Sequence, residues 1–364
     1  MKLSVLKKSV VALGAAYAVL VFSPNSHAAT TVFIEGGSAS RTVLYDRATN
    51  LYAGGTFTST GTGSSNVRRF TGTSLNANLT AYNPITVDIN VANGAIAGLQ
   101  ALTSQTAGPG DTNINGVATI PTFVDSATSP EAVGIDSTAA NLTALRTYVV
   151  PLIYIKNTVY PDVNAITNLT QRQAVALQTS TNKATYYGGS STNVIYFVGR
   201  NSQAAVRTEI DLSIYNTATI KTYTNTATGL PVQDTSADPG YSAASGVTAA
   251  VLAITNSIGT IAVQDLKSTL AQIPYEGVPY SVTNVINGAY PIWGYEHYYF
   301  ITSPNTGAPD SGQQAVINAF YQSVTNTTFQ STSNPIFSTN FVPWLSMKVK
   351  RDFDGGPIKP LPGY

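Results

Sequence analysis

No cysteine occurs anywhere in the chain, and His27 and His297 are its only histidines. Disulfides, thiol nucleophiles, c-type haem attachment and Cys/His zinc sites are thereby excluded, and a Ser-His-Asp triad has almost nothing to be built from. Charge is scarce as well: Asp, Glu, Lys and Arg make up 10% of the 364 residues, against about 25% in ordinary soluble proteins. The formal net charge is +1; without Lys2, Lys7 and Lys8 the 19 basic residues fall to 16, against 18 acidic ones. That balance offers no polyanion-binding surface, so nucleic acid is not an expected partner. Also missing are the Gly-x-x-x-x-Gly-Lys phosphate loop, the Gly-x-Gly-x-x-Gly dinucleotide fingerprint and the Gly-x-Ser-x-Gly nucleophile elbow. Function is left to hydroxyl, amide and guanidinium groups, and neither an enzyme nor a cofactor is expected.

What the chain does have begins with an address. Lys2, Lys7 and Lys8 precede an apolar run from Val10 to Phe22, shorter than the roughly 20 residues a membrane-spanning helix needs. Pro24 breaks the run, and Ser26-His27-Ala28 places small residues at the −3 and −1 positions. This predicts a signal peptide over 1–28, cut between Ala28 and Ala29, and a mature chain without a membrane span in a periplasm or secreted. The remaining length suits two lobes better than one.

Along the mature chain, strand patterns alternate with helix patterns. Thr31–Ile34 reads as a strand that ends in Gly36-Gly37-Ser38 before a helix over 41–48, and 53–66 reads as a loop or hairpin. Ile85–Ile89 is a strand, Asn93-Gly94 a turn and 95–102 a helix. A third strand ends at Phe123-Val124 before Asp125-Ser126-Ala127-Thr128. Val149–Ile155 is a buried strand taken as the crossing into a second lobe, where Asn168-Leu169-Thr170 opens a helix and Val194–Val198 forms a strand running into Gly199-Arg200-Asn201-Ser202-Gln203. A polar tract over 215–246 precedes a helix near 247–256. The strand over 258–263 is expected to return the chain to lobe one, and the tail over 348–364 reads as a surface strap. The pattern predicts an α/β protein with lobe one over 29–148 and 250–364 and lobe two over 149–249, each a mainly parallel sheet flanked by helices whose ligands gather at strand carboxyl ends.

Small polar turns between strand and helix recur at Gly37-Ser38, Asn93-Gly94, Ser126 to Ser129 and Gly199 to Gln203. Each one alone is ordinary helix capping. Together in a two-lobed plan they point to a shared cleft, where backbone N–H groups at helix starts can hold a small oxyanion or polar solute. Arg200, just past an apolar strand, is the candidate counter-charge, since a guanidinium grips an oxyanion bidentately; the competing role is an ion pair with a carboxylate such as Glu209. Ser38, Asn93, Ser126, Ser202 and Gln203 are the candidate hydrogen-bonding partners. His297, in the aromatic run Tyr295 to Phe300, is expected to be a packed or surface residue without a catalytic role.

The order of elements resembles the phosphate-binding periplasmic proteins of ABC transporters, the type II periplasmic-binding fold, over most of the mature chain. Its carriers are Asp238-Pro239-Gly240-Tyr241-Ser242 through Gly246-Val247-Thr248, Ser257-Ile258-Gly259-Thr260, Ile166 to Thr170, and Gly288-Ala289-Tyr290-Pro291. The resemblance implies hinge closure on a ligand and an ABC permease as partner. Gly199-Arg200-Asn201-Ser202-Gln203-Ala204-Ala205-Val206 is similar to the family's Arg-x-x-Gly-Ser-Gly-Thr turn, with Ala204-Ala205-Val206 in place of Ser-Gly-Thr. Ser126 matches the family's Ser-Asp pair, but Ala127 stands where its carboxylate is expected. The alternative to a phosphate-type receptor is a secreted or surface-assembled structural protein that keeps the fold and has lost the phosphate site.

Overall fold

In the computed structural model, which describes residues 29–61, 65–302 and 306–363, three short apolar strands seed the first half. The signal peptide predicted over 1–28 lies outside the described residues. Strand β1 (Thr30–Gly36) is the hub. Beyond it lie β2 (Thr56–Thr60), β3 (Val67–Thr73), β4 (Ile85–Asn90) and β5 (Phe123–Ser126). β1 pairs in parallel with β4 on one side and β5 on the other. Val32, Ile34, Val87, Ile89 and Phe123 are fully buried there. Helices α1 (Arg41–Asn50) and α2 (Ala95–Ser104) follow β1 and β4, as a crossover between parallel strands requires. β2 and β3 form a hairpin beyond β4, which leaves β2 as the outer edge of the sheet.

β6 (Leu142–Lys156) joins this half to the next. In the second half stand α3 (Gln171–Thr179), β7 (Asn182–Lys183), β8 (Val194–Val198), α4 (Ala205–Ser213) and a detached hairpin of β9 (Tyr223–Asn225) and β10 (Pro231–Gln233). They are followed by α5 (Ala244–Ala253), β11 (Ser257–Ala262), β12 (Ala271–Ile273), β13 (Trp293–Ile301) and α6 (Ser311–Thr325). Thr170 and Gln173 cap α3 reciprocally, as Asp310 and Gln313 cap α6. The amino-terminal part of β6 pairs antiparallel with β13, Leu142 opposite Ile301, while its carboxyl-terminal part pairs with β11, Lys156 opposite Ile258. One strand thus belongs to both halves. The whole sheet runs β2-β3-β4-β1-β5-β13-β6-β11-β8-β7, with β12 added on β6, and helices flank it. The α/β class holds, with a sheet of mixed direction.

Three details differ from the sequence reading. β11 lies between β6 and β8, so it belongs to the second half, and β13 makes the return to the first. Ser126 is still inside β5. The tail is more than a surface strap, because Arg351 is buried and donates to the carbonyls of Pro291 and Trp293. One apolar cluster, including Phe123, Tyr148, Ile153, Val198, Val251 and Trp293, runs through both halves. Among the described residues, no helix is long and apolar enough to cross a membrane.

Candidate functional site at the junction of the halves

The turn after β8 is set by backbone bonds before any side chain matters. The Gly199 N–H donates to Thr222 Oγ1 at 2.7 Å. Tyr241 N–H donates to the Gly199 carbonyl and Asn201 N–H to the Tyr241 carbonyl, both at 3.1 Å. That zipper holds Arg200 at the carboxyl end of β8, where its side chain is 2% exposed. Its guanidinium is spent on the protein itself. Nε donates to the Tyr241 carbonyl at 3.0 Å, Nη2 to the Ser242 carbonyl at 2.5 Å, and Nη1 to Ser38 Oγ at 3.3 Å across the junction. No carboxylate among the described residues forms an ion pair with it. Glu209, the partner considered from sequence, forms no ion pair with it; the opposing charge is Asp265. Burial lowers the Arg200 pKa to about 10, with Asp265 acting the other way. Burial likewise pushes Asp265 up to about 6, against the pull of Arg200 and Arg41.

The other contacts across the junction have the same character. Ile96 N–H, in the first turn of α2, donates to the Gln203 carbonyl at 3.2 Å. Thr128 Oγ1 donates to the Ala205 carbonyl at 3.3 Å, and Gln264 Nε2 donates to the Ser38 carbonyl at 2.5 Å. Gly94 adopts φ +101°, and a Cβ there would lie 2.3 Å from the Gln203 carbonyl oxygen. The close approach of the two backbones therefore requires glycine. Donors that an oxyanion would use at a helix start and a guanidinium are here occupied by the chain's own carbonyls.

The space among them is small. Ala39, Ala95, Ala127, Ala204, Ala205 and Val206 line it together with Arg200, Ser38 and Glu296, and the cavity is about 10 Å³. That is room for about one water. Ala127 and Ala204-Ala205-Val206 are the very positions at which the sequence departs from the phosphate-receptor pattern. Behind the cavity sit carboxyl groups removed from water. Glu296 is held well above the usual carboxylate range by burial and by Asp125, and Asp125, against Glu296, Ser40 and Tyr148, is raised to about 7, chiefly by burial.

The six residues singled out from sequence are thus dispersed. Arg200 and Ser38 meet. Ser126 is fully buried but faces its own turn, with Oγ donating to the Thr128 carbonyl at 2.9 Å and accepting from Thr128 N–H at 3.1 Å. Ser202 is exposed and contributes its backbone N–H to Asp238 at 2.7 Å. Asn93 and Gln203 come together elsewhere, at the rim of a neighbouring pocket of about 400 Å³ that also holds Asp111. Asn93 Nδ2 donates to Asp111 Oδ1 at 2.5 Å, and the Gln203 Oε1 is buried without a hydrogen-bond partner. Beside them Glu35 is raised to about 9, mainly by burial and then by Asp111. Asp265, Glu296, Gln264 and the carbonyls of Tyr241 and Ser242 had no local signal in the sequence, because their roles arise from segments far apart in the chain.

Among solved structures, the chain is similar to one from Clostridium perfringens described as a phosphate ABC transporter substrate-binding protein with bound phosphate. The identity is 14% and the TM-score 0.57, covering 86% of this chain and 99% of that one. It is also similar to an ABC-type phosphate transport receptor from Vibrio cholerae, at 12% identity and TM-score 0.50, covering 80% of this chain and 93% of that one. No family model and no curated protein matches the sequence. At these identities the likeness establishes the fold alone: the chain has the two-lobed α/β fold that these two proteins share.

Proposed function

We propose that this is an exported, non-enzymatic protein that keeps the solute-binding fold in a secreted or surface-assembled structural role and no longer takes free phosphate between its halves. The observation that carries the reading is the saturation of Arg200 by Tyr241, Ser242 and Ser38 around a cavity of about 10 Å³. A phosphate entering there would have to displace those bonds and the alanine methyls, and would meet Glu296. Each hydrogen bond that is not regained to a charged ligand costs about 1.5–3 kcal/mol. The solved relatives supply the fold of this reading, and the low charge with abundant Thr, Ser, Asn and Tyr suits an extracellular scaffold.

Calorimetric titration of the purified protein with phosphate and sulfate tests it, together with electron microscopy of concentrated samples. The expected result is no heat of binding at millimolar anion and the presence of ordered assemblies. Micromolar phosphate binding that disappears in Arg200→Ala would restore the receptor function and, with it, an ABC permease as partner.

One observation favours a second reading, a receptor for a polar solute. Asn93 and Gln203, from different halves, line one pocket of about 400 Å³ with Asp111. Its amides and the Asp111 carboxylate suit a neutral or cationic polar solute, not an oxyanion.

A further inference from the structure

The face of the β6–β13 ribbon that carries Leu142 and Tyr299 packs at one end on Leu99 and Leu102 of α2 and opens beyond them into a pocket. Tyr295, His297 and Tyr299 alternate along β13, and Leu142, Ala144 and Arg146 alternate along β6, with Arg146 opposite His297 and Ala144 opposite Tyr299. Alternation puts each set on a single face. Between Tyr295 and His297 the register shifts, the kind of irregularity that re-aims side chains. Arg146 lies over the Tyr295 ring, its Cζ 4.0 Å from the centroid. The turn at Ser129–Glu131 and the tail at Arg351–Asp354 wall the face in, giving a pocket of about 390 Å³, within the size range of small-molecule sites.

The charges in this pocket are unequally committed. Asp354 accepts from Ser129 N–H at 2.6 Å, Glu131 accepts from Ser137, and Asp352 is paired with Lys350 and Lys359 at 3.0 and 2.5 Å. Arg351 is anchored to Ser213 and to the carbonyls of Trp293 and Pro291. Arg146 has no hydrogen-bond or ion-pair partner among the described residues, and its Nε is buried. His297 Nδ1 donates to the Tyr295 carbonyl at 3.0 Å, which leaves Nε2 as an acceptor. Burial and Arg146 lower the His297 pKa to about 4, so the ring adds no second positive charge at neutral pH. The remaining walls are largely apolar: Pro130, Leu142, Ala144 and the rings of Tyr295, Tyr299 and Phe353.

The geometry points to a binding site for a small carboxylate with an apolar or aromatic body, the carboxylate on Arg146 and the body against Tyr295, Tyr299 and Phe353. One unpaired guanidinium accounts for one negative charge, and the aromatic walls account for a preference for an organic anion over an inorganic one.

Titration of the purified protein with benzoate, followed by calorimetry and by the fluorescence of Trp293 beneath Arg351, tests this. Saturable binding at millimolar benzoate or below is expected, tighter than for acetate or inorganic phosphate. Arg146→Gln should weaken it about tenfold to a hundredfold, as loss of a charge-assisted hydrogen bond implies. Ala144→Trp, an exposed position whose enlargement fills the pocket without entering the core, should abolish it. Absence of saturation in the wild-type protein, equal affinity for benzoate and acetate, or unchanged affinity in Arg146→Gln would overturn the assignment.

Discussion

The guanidinium of Arg200 meets the hydroxyl of Ser38 at 3.3 Å, joining two residues 162 positions apart in the chain and on opposite halves of the molecule. Because the same guanidinium also holds the Tyr241 and Ser242 carbonyls, it acts as a clamp. Its removal should therefore be felt in stability. Arg200→Ala is expected to lower unfolding free energy by about 3 kcal/mol, the cost of losing charged hydrogen bonds and stranding buried carbonyls. Urea unfolding of the two proteins measures this directly. A change below about 0.5 kcal/mol, the range of ordinary surface substitutions, would contradict the clamp.

Gly94 offers an independent test of the same junction. A Cβ at φ +101° and 2.3 Å from the Gln203 carbonyl oxygen has no space that a side-chain rotation could supply. Gly94→Ala should cost about 1–3 kcal/mol and loosen the halves, visible as faster amide exchange at Ile96, whose N–H donates to Gln203.

Stability should fall as the solution becomes more alkaline. The Glu35 carboxyl is raised from 4.5 to about 9 and Asp125 from 3.8 to about 7. Such groups stay protonated when folded, while the unfolded chain ionises them, so their contribution is complete below pH 4 and is lost as pH rises through the folded values. His297 works the other way: lowered from 6.5 to about 4, it removes stability as pH falls through that interval. Above pH 6.5 only the acids remain, so thermal or urea unfolding should show a decline from pH 7 to pH 9. Each such carboxyl contributes up to about 1.4 kcal/mol per pH unit between its unfolded and folded values, so the loss from Asp125 is largely complete near pH 7 and Glu35 drives the decline above it. Glu35→Gln, which can still donate toward Asp111, should flatten that decline; an unchanged slope would remove Glu35 as its source.

The free edge of the sheet carries a prediction about assembly. β2 is exposed at every position and has no charged residue, and an uncharged edge strand is a template for pairing with another chain. If the protein assembles, Thr58→Lys should suppress ordered assemblies in electron micrographs while leaving the melting temperature of the monomer unchanged. Assemblies that form equally well in the variant would place the contact elsewhere.

How far the sequence could be read depended on the range of the interactions involved. Helix starts, such as the Thr170–Gln173 capping box, and the apolar strand over Val194–Val198 are encoded within a few residues, so their positions follow from local pattern. A strand pattern carries no information about which neighbour completes its hydrogen bonds, so the pairing of β11 with β6 and β8 is not legible in the sequence over 258–263. Ser126 presents the same problem at smaller scale: its hydroxyl is compatible with a ligand, but Thr128, two residues on, satisfies it both as donor and as acceptor.

By itself the sequence determined the α/β alternation, the absence of thiol and Cys/His zinc chemistry, and the burial of one arginine beyond an apolar strand, since composition and periodicity act locally and additively. Only the tertiary structure decided what that arginine does. Whether a guanidinium greets a solute or its own backbone depends on how closely two distant turns approach. Here a glycine and a ring of methyl groups let them come near enough for carbonyl oxygens to take the place of an anion.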